Sequence, residues 1–314
     1  MRKFGLRKTA LITAGIMFGA GALIFGLGLA TGGSMNFGID YQEKKVYLSK
    51  DINGSDKKYI TDEIKLDEFK KLDLDVDTAN VDVVTGDSWK VSYKLPERAD
   101  FSAKVEGDTL KLTEKQKAFS GVNFNIFDWS GDYSIEITVP EGTSLEDAKM
   151  IVNTGDVSLN SMDVKNLDIE ADTGNADMKD MSGEKITISA DTGNVKFMNV
   201  SAKACNISAD TGNIDMNQSA LGDLEVNADT GNIKFDSLSF TSAVLDADTG
   251  NIKGSLSGKE EEYSYDIEAS FGKIVLNGDK KSEDGDSEYK EKNGTSPEMK
   301  ASADTGNVEI SFTK

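Results

Sequence analysis

The chain has 314 residues, 38% of them apolar, with 30 Gly, 3 Pro, 35 Lys+Arg and 55 Asp+Glu, a formal net charge of −20. Such an excess of carboxylates repels nucleic acid, anionic lipid and phosphate-bearing polymers unless divalent cations intervene. The complete lack of His removes the commonest general base, the His-containing nucleophile triads and most zinc sites, and the single Cys205 excludes an internal disulfide, while enzymes built on carboxylates alone stay open.

Residues 1–8 form a basic N-terminus with Arg2, Lys3, Arg7 and Lys8, and no other charge precedes Asp40. Taking those four charges from the net −20 leaves −24 on everything that follows. Residues 9–31 are uncharged and rich in Leu, Ile, Phe, Ala and Gly. At about 1.5 Å per residue they span a hydrocarbon core of roughly 30 Å as one transmembrane helix. Basic residues before the segment and none shortly after it predict a single-pass cell-membrane protein, its N-terminus cytoplasmic and its C-terminal domain extracytoplasmic. A cleaved signal peptide is the competing reading, because Gly28-Leu29-Ala30 offers small residues at the usual spacing. The length of the apolar run favours an uncleaved anchor.

Residues 32–63 read as a polar stalk, and residues 64–314 as the folded body. Phe69 to Pro140 is irregular but strand-rich, with alternation at Leu72/Leu74/Val76, Val81/Val83, Leu110/Leu112 and Ile135/Ile137/Val139. Phe119–Trp129 holds much of the aromatic content and reads as a cap or plug. Phe119, Phe124, Phe127, Trp129 and Tyr133 suit either a sugar-stacking platform or ordinary packing, and packing is the simpler reading.

Residues 151–254 are governed by a repeat. Asp172-Thr173-Gly174-Asn175 recurs as Asp191-Thr192-Gly193-Asn194, Asp210-Thr211-Gly212-Asn213, Asp229-Thr230-Gly231-Asn232 and Asp248-Thr249-Gly250-Asn251, always 19 residues apart. A further copy, Asp304-Thr305-Gly306-Asn307, lies at the C-terminus. Degenerate copies are Asp77-Thr78-Ala79-Asn80, Asn153-Thr154-Gly155-Asp156 and Ser270-Phe271-Gly272-Lys273. Period-2 alternation flanks each motif, as in Ile186/Ile188/Ala190 before and Val195/Phe197 after, so each unit reads as strand, turn, strand and a short return. Gly permits the positive φ of a tight turn, and Asp and Asn bond local backbone. A 19-residue unit cannot bury its apolar side alone, whereas copies stacked about 4.8 Å apart share one core. The fold expected is therefore all-β, a parallel β-solenoid of 19-residue rungs behind one transmembrane helix. Thr78 to Thr154 spans four periods, which fits earlier, more decorated rungs. Residues 277–297 read as a charged loop, and the strand that ends the chain reads as the cap of the stack.

Stacking puts the motif Asp residues in one column, with Thr and Asn columns beside it. The structural reading is that each Asp accepts backbone N–H bonds while Thr and Asn side chains form ladders. The functional one is a column that binds divalent cations or a cationic partner. The structural reading is preferred, because the Gly-Gly-x-Gly-x-Asp nonapeptide of calcium-binding solenoids is missing. No catalytic, cofactor-binding or metal-ligating residue is assigned. The alternative is a carboxylate-based polysaccharide-degrading β-helix enzyme. Such enzymes place catalytic residues where the repeat breaks, whereas here the Asp residues are the repeat. Cys205 occupies an apolar slot and reads as buried filler.

The Asp-Thr-Gly-Asn-(Val/Ile) repeats and the Phe69-Lys70-Lys71-Leu72-Asp73-Leu74 opening resemble the bacterial "putative adhesin" family of β-strand-repeat proteins, a domain of unknown function often found behind a single anchor in Gram-positive bacteria. The resemblance covers about residues 64–314 and extends to LiaG-like proteins, which accompany envelope-stress genes. It implies the fold and an adhesive or stress-accessory role, and brings no active residues. The function expected is a non-enzymatic scaffold or binding module at the cell envelope, needing no cofactor. Its partners would be the membrane and an envelope protein or surface glycan, and not nucleic acid.

Overall fold

The computed structural model describes residues 37–40, 45–48, 59–97, 99–116, 121–124, 133–282, 285–294 and 296–313. The expected anchor at residues 9–31 and most of the aromatic segment lie outside them. Among the described residues no helix is long and apolar enough to cross a membrane. The chain divides into two compact units, residues 1–58 with 118–131, and residues 59–117 with 132–314. In the first, the strands Lys45–Leu48, Phe37–Asp40 and Gly121–Phe124 form an antiparallel sheet in that order. The stretch read as a stalk therefore contains paired strands.

Among its described residues the second unit is all-β, with the 3-10 turn Glu260–Glu262 as the only helical element. Its repeats pair in parallel with a shift of one period. Ile169 lies opposite Ile188, Ile188 opposite Ile207, Ile207 opposite Val226, and Val226 opposite Leu245. These side chains are 0–1% exposed and form one column of the core. After the turn, Ala176, Val195, Ile214, Ile233 and Ile252 form a second buried column. Burial of each such β-branched side chain contributes about 1.5–3 kcal/mol. An alternating pattern that slipped by one residue would expose the whole column, so burial fixes the register.

The motif glycine sets how closely the rungs approach. Gly212 has φ 155°, and a Cβ there would lie 1.8 Å from the carbonyl oxygen of Gly193 in the next rung. A side chain is thus excluded twice, by the backbone conformation and by the neighbouring carbonyl. A second corner has the opposite chemistry. Ser161, Asp180, Asn199, Gln218 and Ser237 all adopt φ between 50° and 59° without being glycine. Polar residues dominate there because a short polar side chain tolerates the left-handed region by local hydrogen bonding. The return then buries Met162, Met181, Val200 and Leu238. Ser219 takes that slot in one rung, buried, donating to the Asn217 carbonyl and accepting from the Val200 amide.

Chain order and stack order part company at both ends. Asp147–Val152 pair directly with Lys71–Val76, and Val157–Leu159 with Val81–Val83. The interval from Thr78 to Thr154 is therefore one rung step and not four, a correction to the reading of decorated rungs. The intervening chain builds the end of the stack, as Lys71–Val76 pair in parallel with Thr109–Glu114 and Ser134–Pro140 with Asn80–Gly86. Glu114, 0% exposed, closes that end by accepting the amides of Asp77 and Thr78 at 2.9 Å and the Gln116 side-chain amide.

At the other end, Glu298–Thr305 pair with Ser242–Thr249 on one side and, through Glu298–Ala303, with Ser264–Ala269 on the other. Val308–Ile310 lie between Ile252–Gly254 and Ile274–Leu276. The C-terminal rung is thus internal, which corrects the expectation that it caps the stack. The rung that closes this end is the degenerate copy, Ser270-Phe271-Gly272-Lys273. It is followed by an antiparallel strand, Gly285–Glu291, so the stretch read as a charged loop also carries a strand. Exposed Glu288 and Lys290 put charges on that edge strand, which discourages further pairing.

Replacing Gly212 by Val is expected to lower stability by at least about 2–3 kcal/mol, and replacing the exposed Thr211 by Val to change it by less than about 0.5 kcal/mol. Urea unfolding of both variants reads the difference.

Candidate functional site

The recurring turn occupies one side of each rung and sorts its four residues by depth. Gly174, Gly193 and their equivalents are half-buried at the contact between rungs, and the Asn residues are half-buried beside them. Asp172, Asp191, Asp210, Asp229, Asp248 and Asp304 are all exposed. Because the C-terminal rung is internal, Ala247 and Thr249 face Ala303 and Thr305, which makes Asp304 the direct neighbour of Asp248. The six carboxylates are consecutive in the stack although 56 residues separate the last two in sequence.

Asn carries the ladder. The side-chain amide of Asn194 donates to Asn175 Oδ1 at 3.0 Å, and the same oxygen accepts the Asn194 backbone amide at 3.0 Å. The pattern repeats from Asn213 to Asn194, Asn232 to Asn213, Asn251 to Asn232 and Asn307 to Asn251, within 2.9–3.2 Å. It starts where the amide of Asp156 meets Asn80 Oδ1, and Asn175 then bonds Asp156. It ends where the Lys273 amide meets Asn307 Oδ1. Degenerate copies thus stand at or beside the ends, where only half of the bonding capacity is used.

The Asp and Thr columns behave differently from the sequence expectation. Among the described residues no hydrogen bond or ion pair reaches the six Asp carboxylates, and the Thr hydroxyls of the same turns form no ladder. The Asp column is therefore a solvated acidic ridge whose like charges the structure does not offset locally. Its field reaches inward, since Asp246 is held above the ordinary carboxylate range by burial first and then by Asp248 and Asp304. Toward the N-terminal end the charge is offset. There burial opposes ionisation of Asp77, but hydrogen bonds from Lys115 and the Gln116 amide outweigh it and lower its pKa.

The outward column after the turn alternates in sign where Asp177, Lys196, Asp215 and Lys234 succeed one another, with Lys196 and Lys234 exposed. On the strand before the turn, Lys185, Ala204, Asn206, Asp223, Glu225 and Val244 line a shallow depression of about 360 Å³. Cys205 lies beneath it, where burial pushes the thiol up to about 12, in keeping with its reading as filler.

One cluster outside the motif was not legible in the repeat. Carboxylate oxygens of Asp266, Glu268 and Glu288 converge within 4.8 Å at the terminal rung. Lys290 already supplies a cation there, pairing with Asp266 at 3.4 Å and with Glu288. Of the five aromatics considered as a sugar platform, Phe124 lies in the strand Gly121–Phe124, and the described side chain is that of Tyr133, which is half-buried with its ring 6.0 Å from that of Tyr59.

The family model described as Toastrack DUF4097 matches residues 69–311. Similar solved structures include a putative adhesin from Bacteroides fragilis, 19% identical, TM-score 0.49, with 82% of this chain and 98% of that chain covered. Another is a putative adhesin from Parabacteroides merdae, 14% identical, TM-score 0.41, with 83% and 98% covered. A third is a putative lipid binding protein from Parabacteroides distasonis, 17% identical, TM-score 0.39, with 83% and 98% covered. No curated protein matches the chain.

Replacing Asn213 by Ala strands two donors of Asn232 and is expected to destabilise by about 1–3 kcal/mol. Replacing Asp210 by Asn is expected to leave stability unchanged or raise it at low ionic strength, a gain that salt removes by screening the ridge. Thermal melts of both variants at low and high salt distinguish the two columns. For Cys205, the folded thiol holds its proton to a higher pH than the unfolded thiol, so the unfolded chain binds fewer protons and stability falls as pH rises from 9.0 to about 12. The stability of Cys205→Ala relative to the parent should therefore rise across that window.

Proposed function

The chain belongs to the Toastrack DUF4097 family, and on that premise we propose that it is a non-enzymatic binding or scaffold module of the bacterial cell envelope, held at the membrane by residues 9–31. The observation that carries the reading is the acidic ridge. Six exposed carboxylates at consecutive rungs are set on a backbone so constrained by Gly contacts and Asn hydrogen bonds that their spacing is fixed before any partner arrives. Preorganised, repeated groups bind an extended partner with little loss of conformational freedom. A ridge of one sign also steers cationic partners and repels anionic ones.

Adhesion to a surface glycan and contact with a neighbouring membrane protein are the two forms this role takes. The membrane protein is favoured, because a stack of eight or nine rungs rises only about 40 Å, too little to cross a thick wall. Polysaccharide cleavage needs a general acid and a second carboxylate flanking a bound sugar. In the described carboxylate cluster Asp266, Glu268 and Glu288, two of the groups, Asp266 and Glu288, instead share one lysine at the end of the stack.

Photo-crosslinking in intact cells from Lys196 and Lys234, followed by mass spectrometry, tests the reading. A specific membrane protein as the main product is the expected result. Captured glycan would shift the role to adhesion, and the absence of any reproducible product would remove the binding role.

A further inference from the structure

A stacked sheet gains a strand only at an edge. Among the described residues, the strands Tyr59–Lys65, Ala99–Glu106 and Gly285–Glu291 each pair on one side only. Two of them carry a device against further pairing. Exposed Glu288 and Lys290 charge the last of them. In Tyr59–Lys65, Asp62 lies opposite Tyr93, on the side of the sheet that buries Val91 and Leu95, so a carboxylate points toward the core. The strand Ala99–Glu106 has no such block. It runs eight residues without a bulge against Thr109–Gln116. Phe101, Ala103 and Val105 lie opposite Glu114, Leu112 and Leu110, hence on the core side, and all three stay half-buried at this edge. The Phe101 ring packs on that of Tyr93, with centroids 4.2 Å apart.

The neighbouring strand shows which backbone groups are open. The carbonyls of Asp108 and Glu114 point away from Ala99–Glu106 and accept the amides of Lys70 and Asp77. Even-numbered residues of Thr109–Gln116 therefore bond Lys71–Val76, and odd-numbered ones bond Ala99–Glu106. By the same alternation Ala99, Phe101, Ala103 and Val105 turn their amides and carbonyls to the open side. Two copies of this strand can then pair antiparallel only in registers centred on a residue. Centred on Ala103, Asp100 meets Glu106, and like charges oppose each other. Centred on Phe101, Lys104 falls beyond the end of the partner strand. Centred on Ser102, Asp100 meets Lys104 twice by symmetry, Phe101 meets Ala103, and Ala99 meets Val105. Asp100 and Lys104 are both exposed, and among the described residues neither has an ion pair or side-chain hydrogen bond within the chain.

We propose that Ala99–Glu106 is a self-association edge, at which two copies of the chain pair antiparallel about a two-fold axis through Ser102. The contact is isologous, so every interaction occurs twice and the assembly closes at two. Main-chain hydrogen bonds from the four open residues hold the strands together, and the core-side row of Phe101, Ala103 and Val105 continues into the partner. The two Asp100–Lys104 pairs choose the register. Charges on an edge strand ordinarily repel further strands. Here a second copy supplies the matching set in the one register that the open backbone groups and the charges both allow. The residues of the acidic ridge take no part, so this pairing stands or falls apart from the reading of the ridge.

The test is oxidation of the full-length Ser102→Cys chain in the cells that produce it, read by non-reducing electrophoresis. At the axis the two copies of position 102 form a non-hydrogen-bonded pair with Cα atoms about 4.5 Å apart, within reach of a disulfide. A covalent dimer is expected, and none from the parent chain, whose Cys205 is buried. Asp100→Cys is the register control, since two copies of position 100 stand about 13 Å apart in this pairing, and its yield should be at least about tenfold lower. Adding Lys104→Asp to the Ser102→Cys chain sets like charges opposite each other and should cut the dimer at least about fivefold, and adding Asp100→Lys as well should restore it. Restoration by the swapped pair separates lost pairing from lost folding. No dimer from Ser102→Cys, equal yields from Ser102→Cys and Asp100→Cys, or a yield that ignores Lys104→Asp each overturns the proposal.

Discussion

Everything in the stacked unit depends on the distance at which one motif glycine passes the carbonyl of the next. A Cβ on Gly193, Gly212, Gly231 or Gly250 would lie 1.7–1.8 Å from the carbonyl oxygen of the glycine in the adjacent rung, where no side-chain atom fits. That contact fixes the rung spacing at the turn, and the spacing in turn lets Asn Oδ1 accept two donors from the following rung. The apolar columns supply most of the free energy, but they are tolerant, since Ile, Val, Leu, Cys and Ala all occur in them. Between stacked motif rungs the turn tolerates nothing larger than hydrogen, and Ala79 takes the position only in the rung at the Glu114 end. Core and turn therefore divide the work: burial drives assembly and fixes the register, and the glycine contact with the Asn ladder sets the spacing at the turn.

Much of this was legible because repetition multiplies weak signals. A single Asp-Thr-Gly-Asn says only that a turn is present, whereas five at one period assign a parallel stack with equivalent residues in columns. Cys205 was placed in an apolar slot by the same argument, and its burial agrees. What repetition could not give was the order of rungs at the ends. Asn153 donates to Asp77 across an interval of 76 residues, and nothing in that interval announces that it is one step. The stack ignores how much chain lies between two neighbours, so a spacing of four periods and an excursion of arbitrary length look alike.

The second corner was missed for a different reason. Its left-handed residues are Ser, Asp, Asn, Gln and Ser, with no glycine to mark them, and their polarity merged with that of the outward faces. Glu114 was equally silent. It is a charged residue that alternation alone places inward, and its role rests on amides of a turn 36 and 37 positions away. The sequence reading gave ladders to Thr and Asn and backbone amides to Asp, and the structure leaves the ladder to Asn. A carboxylate offers only acceptors, and a column of acceptors cannot bond to itself. The Asn amide carries both donor and acceptor, and here it alone propagates from rung to rung.

The closure of each end by chain that leaves the period has a consequence for how such molecules vary. A central rung touches only its two neighbours, and it presents identical bonding patterns above and below. Duplicating or deleting one such unit changes neither the Glu114 end nor the Lys273 end. The body is in this sense a graduated rule, whose height changes in increments of about 4.8 Å for every 19 residues of coding sequence, while its terminal fittings stay constant.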